Sequence, residues 1–123
     1  MKRYFFILTA LLFTFSASAF AEEKIYPGPQ EAAPNVYKKL FDNESVLISE
    51  ITFKPGDKAP MHTHPYKHSV YIIEGGELTL SRPGGTSAVA TAKAGDVLWF
   101  PAETHEALNT GITTVRGVIT EIK

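Results

Sequence analysis

The chain has 123 residues, 44% of them hydrophobic, and 12 Lys+Arg against 13 Asp+Glu. That is room for one domain with its own core, and it supplies no basic stripe for a phosphate backbone. Neither a multidomain enzyme nor a nucleic-acid partner is expected. There is no cysteine, which excludes disulfides, thiolate-bound zinc, iron–sulfur clusters and thiol nucleophiles, so any metal has to be held by nitrogen and oxygen.

Met1-Lys2-Arg3 is basic, an apolar stretch of 12 residues runs from Tyr4 to Phe15, and Ala19-Phe20-Ala21 closes the segment with a small-x-small pattern. A stretch of this length is short of the roughly 20 residues that span a bilayer, and the pattern is that of a signal peptide over 1–21. Maturation is expected before Glu22, with export to the periplasm or outside and no stable membrane anchor. Removal of Lys2 and Arg3 leaves 10 basic against 13 acidic residues.

Residues 22–45 read as an N-terminal arm and a first strand, and 46–123 as the main domain. Glu22 to Pro34 is rich in Pro, Ala and charge with no period, so an extended arm is expected. Seven short runs with strand character follow: Val36–Phe41, Val46–Phe53, Ser69–Ile73, Glu77–Ser81, Thr86–Ala92, Val97–Phe100 and Thr114–Ile122. Between them lie turn formers, among them Asp42-Asn43, Pro55-Gly56-Asp57, Gly75-Gly76, Pro83-Gly84-Gly85 and Gly95-Asp96. Gly56, Gly75 and Gly95 are expected to take positive φ there. No stretch has a convincing helical period. Strands this short bury their apolar faces only by packing one sheet on another, so the fold class is all-β, a sandwich or barrel.

The four histidines are His62, His64, His68 and His105, and three fall within seven residues. Alternate strand residues share a face, so His62 and His64 project together as a chelating pair. His68 follows across Pro65-Tyr66-Lys67 and can face the same centre. His105 would arrive from a distant strand. Neutral imidazole is the commonest biological metal ligand.

The surroundings of these residues resemble the cupin superfamily. Gly56, His62, His64, position 68 and Gly75 match its first motif, and Gly95, Pro101, His105 and Asn109 match its second. The chain departs from the pattern where His68 replaces the usual Glu, where Glu103 stands at a usual Gly, and where the interval from Pro101 to His105 is one residue short. The resemblance implies a double-stranded β-helix, or jelly-roll, barrel and a homodimer. An apolar outer face at Tyr71 and Ile73 suits such a covered surface.

If His68 ligates, four neutral imidazoles leave a divalent ion its full charge and make its bound water more acidic. If it swings away, three histidines and water form an open site. The ligand set adopted is His62, His64, His68 and His105. Fe, Mn, Ni, Cu and Zn all suit nitrogen donors. Glu103 is expected to be a solvated turn residue, with a role as general base or as an acceptor orienting an imidazole N–H as the alternative, and Asn109 is expected to stabilise a turn or strand end. Trp99 and Phe100 are taken as core, with a pocket-lining role as the alternative. The resulting function is a metal-dependent enzyme acting on a small oxygen-bearing molecule, of dioxygenase or isomerase/lyase type. The alternative is a non-enzymatic container for metal or a small ligand.

Overall fold

A computed structural model describes residues 22–123, and the expected signal peptide at 1–21 lies outside the described residues. Among the described residues nine strands follow a single helical turn: α1 (Pro29–Ala32), β1 (Tyr37–Asp42), β2 (Val46–Phe53), β3 (Lys58–His64), β4 (His68–Glu74), β5 (Gly76–Ser81), β6 (Ser87–Ala92), β7 (Val97–Phe100), β8 (Glu103–Asn109) and β9 (Val115–Ile122). They form a five-stranded sheet ordered β1-β2-β9-β4-β7 and a four-stranded sheet ordered β3-β8-β5-β6, with every pairing antiparallel. This is the expected all-β jelly roll. Among the described residues no helix is long and apolar enough to cross a membrane.

Alternation builds the core. In β2 the buried residues are Ser49, Ile51 and Phe53, and in β9 Val115, Gly117, Ile119 and Glu121 turn inward. With Val70 and Ile72 of β4 and Ala107 of β8 they close the space between the sheets, and Leu78, Leu80, Leu98 and Phe100 pack against them. Tyr71 and Ile73 lie on the outer face, as their parity requires, and so do Val97 and Trp99. Trp99 is therefore not core, whereas Phe100, one residue on, points inward.

Three further sequence expectations need correction. The arm is not extended throughout: Gly28 leads into a turn with Pro29 in its first position, where a missing N–H is harmless and φ is already suitable. Gly56 and Gly95 do take positive φ, but Gly75 does not. Gly75 is needed for close approach, since a Cβ there would lie 2.3 Å from the carbonyl oxygen of Ala92. Glu103 is not a solvated turn residue but opens β8, with its side chain only 4% exposed.

Strands β3 and β8 were absent from the seven runs because Pro60 and the histidines break their apolar pattern. Asn109 does tie strand ends together: its side-chain amide donates to the carbonyls of Phe53 and Thr113, each at 2.8 Å. Asn43 likewise caps its turn, accepting the backbone N–H groups of Ser45 and Val46.

Candidate metal centre

The site is built by two strands of the four-stranded sheet facing two of the other. Pro60 has no N–H to donate to the ladder, and the β3–β8 register shifts between Ala59 and His62, as expected where Pro interrupts a strand. After the shift His62 stands directly opposite His105, and His64 opposite Glu103. In the five-stranded sheet His68 opens β4 between Phe100 of β7 and Glu121 of β9. All four histidines are buried.

The rings of His62 and His105 are 4.8 Å apart between centroids, and those of His64 and His105 5.1 Å. One ligand atom from each of His62, His64 and His105 falls within 4.8 Å of the other two. His68 belongs to a second such set, with His64 and Glu121. Its ring stacks on that of His64 at 4.4 Å and on that of Phe100 at 5.5 Å. The structure thus gathers three of the four adopted ligands tightly and puts the fourth alongside.

Each ring has an acceptor near Nδ1. The Nδ1–H of His62 donates to the carbonyl of Pro60 at 2.7 Å, and that of His68 to the carbonyl of Tyr66 at 2.9 Å. The Nδ1–H of His64 donates to Glu121 Oε1 at 3.0 Å. His105 Nδ1 lies 3.1 Å from Glu103 Oε1 without forming a hydrogen bond, and among the described residues this buried oxygen has no hydrogen-bond partner. A carbonyl only accepts, so in neutral His62 and His68 the proton sits on Nδ1 and Nε2 presents a lone pair.

That assignment tests whether a metal fits. The Nε2 atoms of His62 and His64 are 3.0 Å apart; when both rings carry their proton on Nδ1 the two lone pairs face each other, an arrangement that a cation between them relieves. The spacing also suits two nitrogens each about 2.1 Å from one ion at close to a right angle. The residues fit a divalent metal.

Burial pushes His62 down from 6.5 to about 4, against the opposing hydrogen bond to Pro60. Burial, and then repulsion from the neighbouring imidazoles, pushes His105 from 6.5 to about 3. His68 is lowered mainly by burial as well. These rings are neutral at pH 7, the form that binds metal. In the metal-free protein a depressed imidazole pKa means that the unfolded chain takes up protons the folded one refuses. Stability is then complete above pH 6.5 and falls as the pH drops toward 4. Urea unfolding midpoints of metal-free protein should decline across that window, and a flat profile would contradict buried neutral rings.

Two residues of the site were missed by sequence reasoning. Glu121 is buried, and although burial alone raises its pKa, the hydrogen bonds from His64 and Gln30 outweigh this and hold it below the usual carboxylate range. A carboxylate in phase with Val115 and Ile119 was the available signal. Tyr37 is buried with its hydroxyl 3.4 Å from His62 Nε2, and burial raises its pKa, followed by repulsion from Glu121 and Glu103. It stays a protonated donor. Nothing in its local sequence marked it.

His64, His68 and His105 open onto a cavity of about 60 Å³ whose walls include Phe53, Ile72, Leu78, Leu98 and Phe100, and among the described residues Tyr37 is the one other polar wall residue.

Residues 49–120 match the cupin domain family, and the chain belongs to it. Members of that family commonly bind divalent metals, and the histidine cluster here could hold one. Among curated relatives, the (R)-mandelonitrile lyase of Granulicella tundricola is 38% identical over 65 residues, which are 52% of this chain and 47% of the lyase. The chain thus matches about half the length of that enzyme. The crystal structure of a cupin domain from Bordetella pertussis superimposes with a TM-score of 0.66 at 27% identity, covering 82% of this chain and 99% of that one. An RmlC-like cupin from Methanocaldococcus jannaschii, at 23% identity, shares the fold with a TM-score of 0.58 over 83% of this chain and 92% of its own.

Proposed function

We propose that the protein is a metal-dependent enzyme of lyase type acting on a small molecule with an apolar body and one oxygen-bearing end. The observation that carries this reading is the convergence of imidazole Nε2 atoms at the end of an apolar cavity that also holds a protonated Tyr37 hydroxyl. A plain container needs no further polar group beside its ligands, and Tyr37 is such a group. The identity with a mandelonitrile lyase favours cleavage over oxygenation.

His62, His64 and His105, with His68 beside them, would hold the ion. When bound, a divalent metal supplies Lewis acidity toward a substrate oxygen. The apolar walls bind the substrate body and exclude water. The Tyr37 O–H, next to His62, is placed to donate a hydrogen bond to the substrate's polar end and so orient it. Phe100, stacked on His68, limits the movement of that ring.

The test is protein loaded separately with Mn(II), Fe(II), Co(II), Ni(II) and Zn(II), assayed for aldehyde and cyanide release from mandelonitrile. Oxygen uptake with catechols and diketones is measured in parallel. Metal-dependent release supports the lyase reading, uptake moves the assignment to a dioxygenase, and silence across the panel favours the container.

The leader-like pattern at 1–21 supports export, which the N-terminus of purified periplasmic protein would check. The apolar outer face, where Tyr71 pairs with Val97 and Ser69 with Trp99, supports a homodimer through that sheet, to be checked by sedimentation with Trp99→Glu.

A further inference from the structure

The metal-centre reading leaves a question of charge. A carboxylate at position 68 would bring one negative charge to the ion, and His68 brings none. Yet two buried carboxylates stand just behind the rings. Glu121 Oε1 accepts from His64 Nδ1 at 3.0 Å, and its other oxygen lies 3.5 Å from the side-chain amide of Gln30 on the arm. Glu103 repeats the plan: Oε1 is 3.1 Å from His105 Nδ1, and Oε2 takes Arg82 at 3.3 Å.

The two sites are related by strand pairing, since Glu103 is the ladder partner of His64 and Glu121 that of His68. The histidines outside these pairs, His62 and His68, donate to neutral backbone carbonyls. Burying a carboxylate is costly unless it is paired. Glu103 Oε1 nonetheless has no hydrogen-bond partner, although the only polar group needed is a slightly rotated His105.

We infer that Glu121 and Glu103 are positioning residues that balance the charge of the bound ion through His64 and His105. The negative charge absent from position 68 is supplied from behind two of the rings instead. Each carboxylate holds its imidazole in the Nδ1–H form and makes Nε2 a stronger donor, as carboxylate–imidazole pairs do at metal sites. A small turn of the His105 ring would bring its Nδ1–H onto Glu103 Oε1. The expectation that four imidazoles leave the ion its full charge is thereby revised, because the neutralising carboxylates act at one remove.

The inference rests on the metal-centre reading, and the two fail differently. Co(II) affinity is measured by chelator competition for the wild type, Glu121→Gln and Glu103→Gln, together with the reduction potential of the Fe-loaded forms and the thermal midpoint of the metal-free forms. Glutamine keeps the shape and an accepting oxygen while removing the charge. Each substitution should weaken Co(II) binding by about 10–100-fold and shift the iron potential positive. A residue that only supports the fold would lower the thermal midpoint and leave the potential unchanged. Wild-type binding matched by both variants, with unchanged potentials, overturns the inference. A wild type that binds no Co(II) overturns the metal-centre reading itself. If Glu121→Gln fails to fold, Glu103→Gln, which is held by the exposed Arg82, decides alone.

Discussion

Replacing His64 with alanine is expected to abolish metal binding, with an affinity loss beyond the roughly 100-fold that follows from removing a residue behind a ligand. His64 is the hub of the cluster. Its Nε2 is 3.0 Å from that of His62, its ring is 5.1 Å from His105 and 4.4 Å from His68, and it belongs to both sets of converging ligand atoms. His62→Ala and His105→Ala should also lose metal. His68→Ala should bind more weakly but still bind, because His68 lies outside the set formed by the other three. Metal content after dialysis against a chelator, followed by Co(II) competition, checks the series. Full retention in His105→Ala would refute convergence of distant strands on one ion, and equal loss in His68→Ala would make all four rings equal partners. His64→Ala also leaves Glu121 buried without its imidazole, which costs about 3–5 kcal/mol when a buried pair is broken. His64→Gln, which keeps a donor near Glu121, should recover part of the stability and none of the metal.

The largest purely structural effect should come from Phe53→Ala, about 3–5 kcal/mol of destabilisation for a buried Phe reduced to Ala. Phe53 ends β2 opposite Val115 and is 1% exposed. Its ring meets the edge of Tyr37 at 6.3 Å between centroids, and its carbonyl accepts from Asn109. The site already borders the apolar cavity, so the void merges with existing space and the surroundings have little to collapse onto. Urea unfolding of the metal-free protein measures the loss, and Phe53→Leu should retain most of the stability. A cost under about 1 kcal/mol would mean that the core relaxes far more than Phe→Ala substitutions elsewhere do.

Strand parity made most of this architecture legible. The β2 and β7 bounds read from the sequence coincide with those in the structure, and the others differ by a residue. These runs alternate or stay apolar between clear turn residues. The site was legible in the His-x-His spacing and in His105, whose ladder position opposite His62 depends on a long-range pairing that no local window contains. β8 was hidden because Glu103, His105 and Asn109 put polar groups on its buried face. Glu103 was read as solvated for the same reason: a charge next to Pro101 suggests a turn until the partner strand is known. Tyr37 of β1 and Gln30 of the arm reach the centre only after the chain has folded over β3, where the Thr63 N–H donates to the carbonyl of Pro27 at 2.8 Å.

The bond between His64 and Glu121 joins β3 of one sheet to β9 of the other, so it acts as a rivet across the sandwich. Whatever tightens that rivet resists parting of the layers, and by linkage any breathing of the layers would loosen the grip on a bound ion. Deuterium uptake at the amides flanking the rivet should therefore slow when metal is added, and the rate at which the cargo escapes should follow the frequency of that breathing.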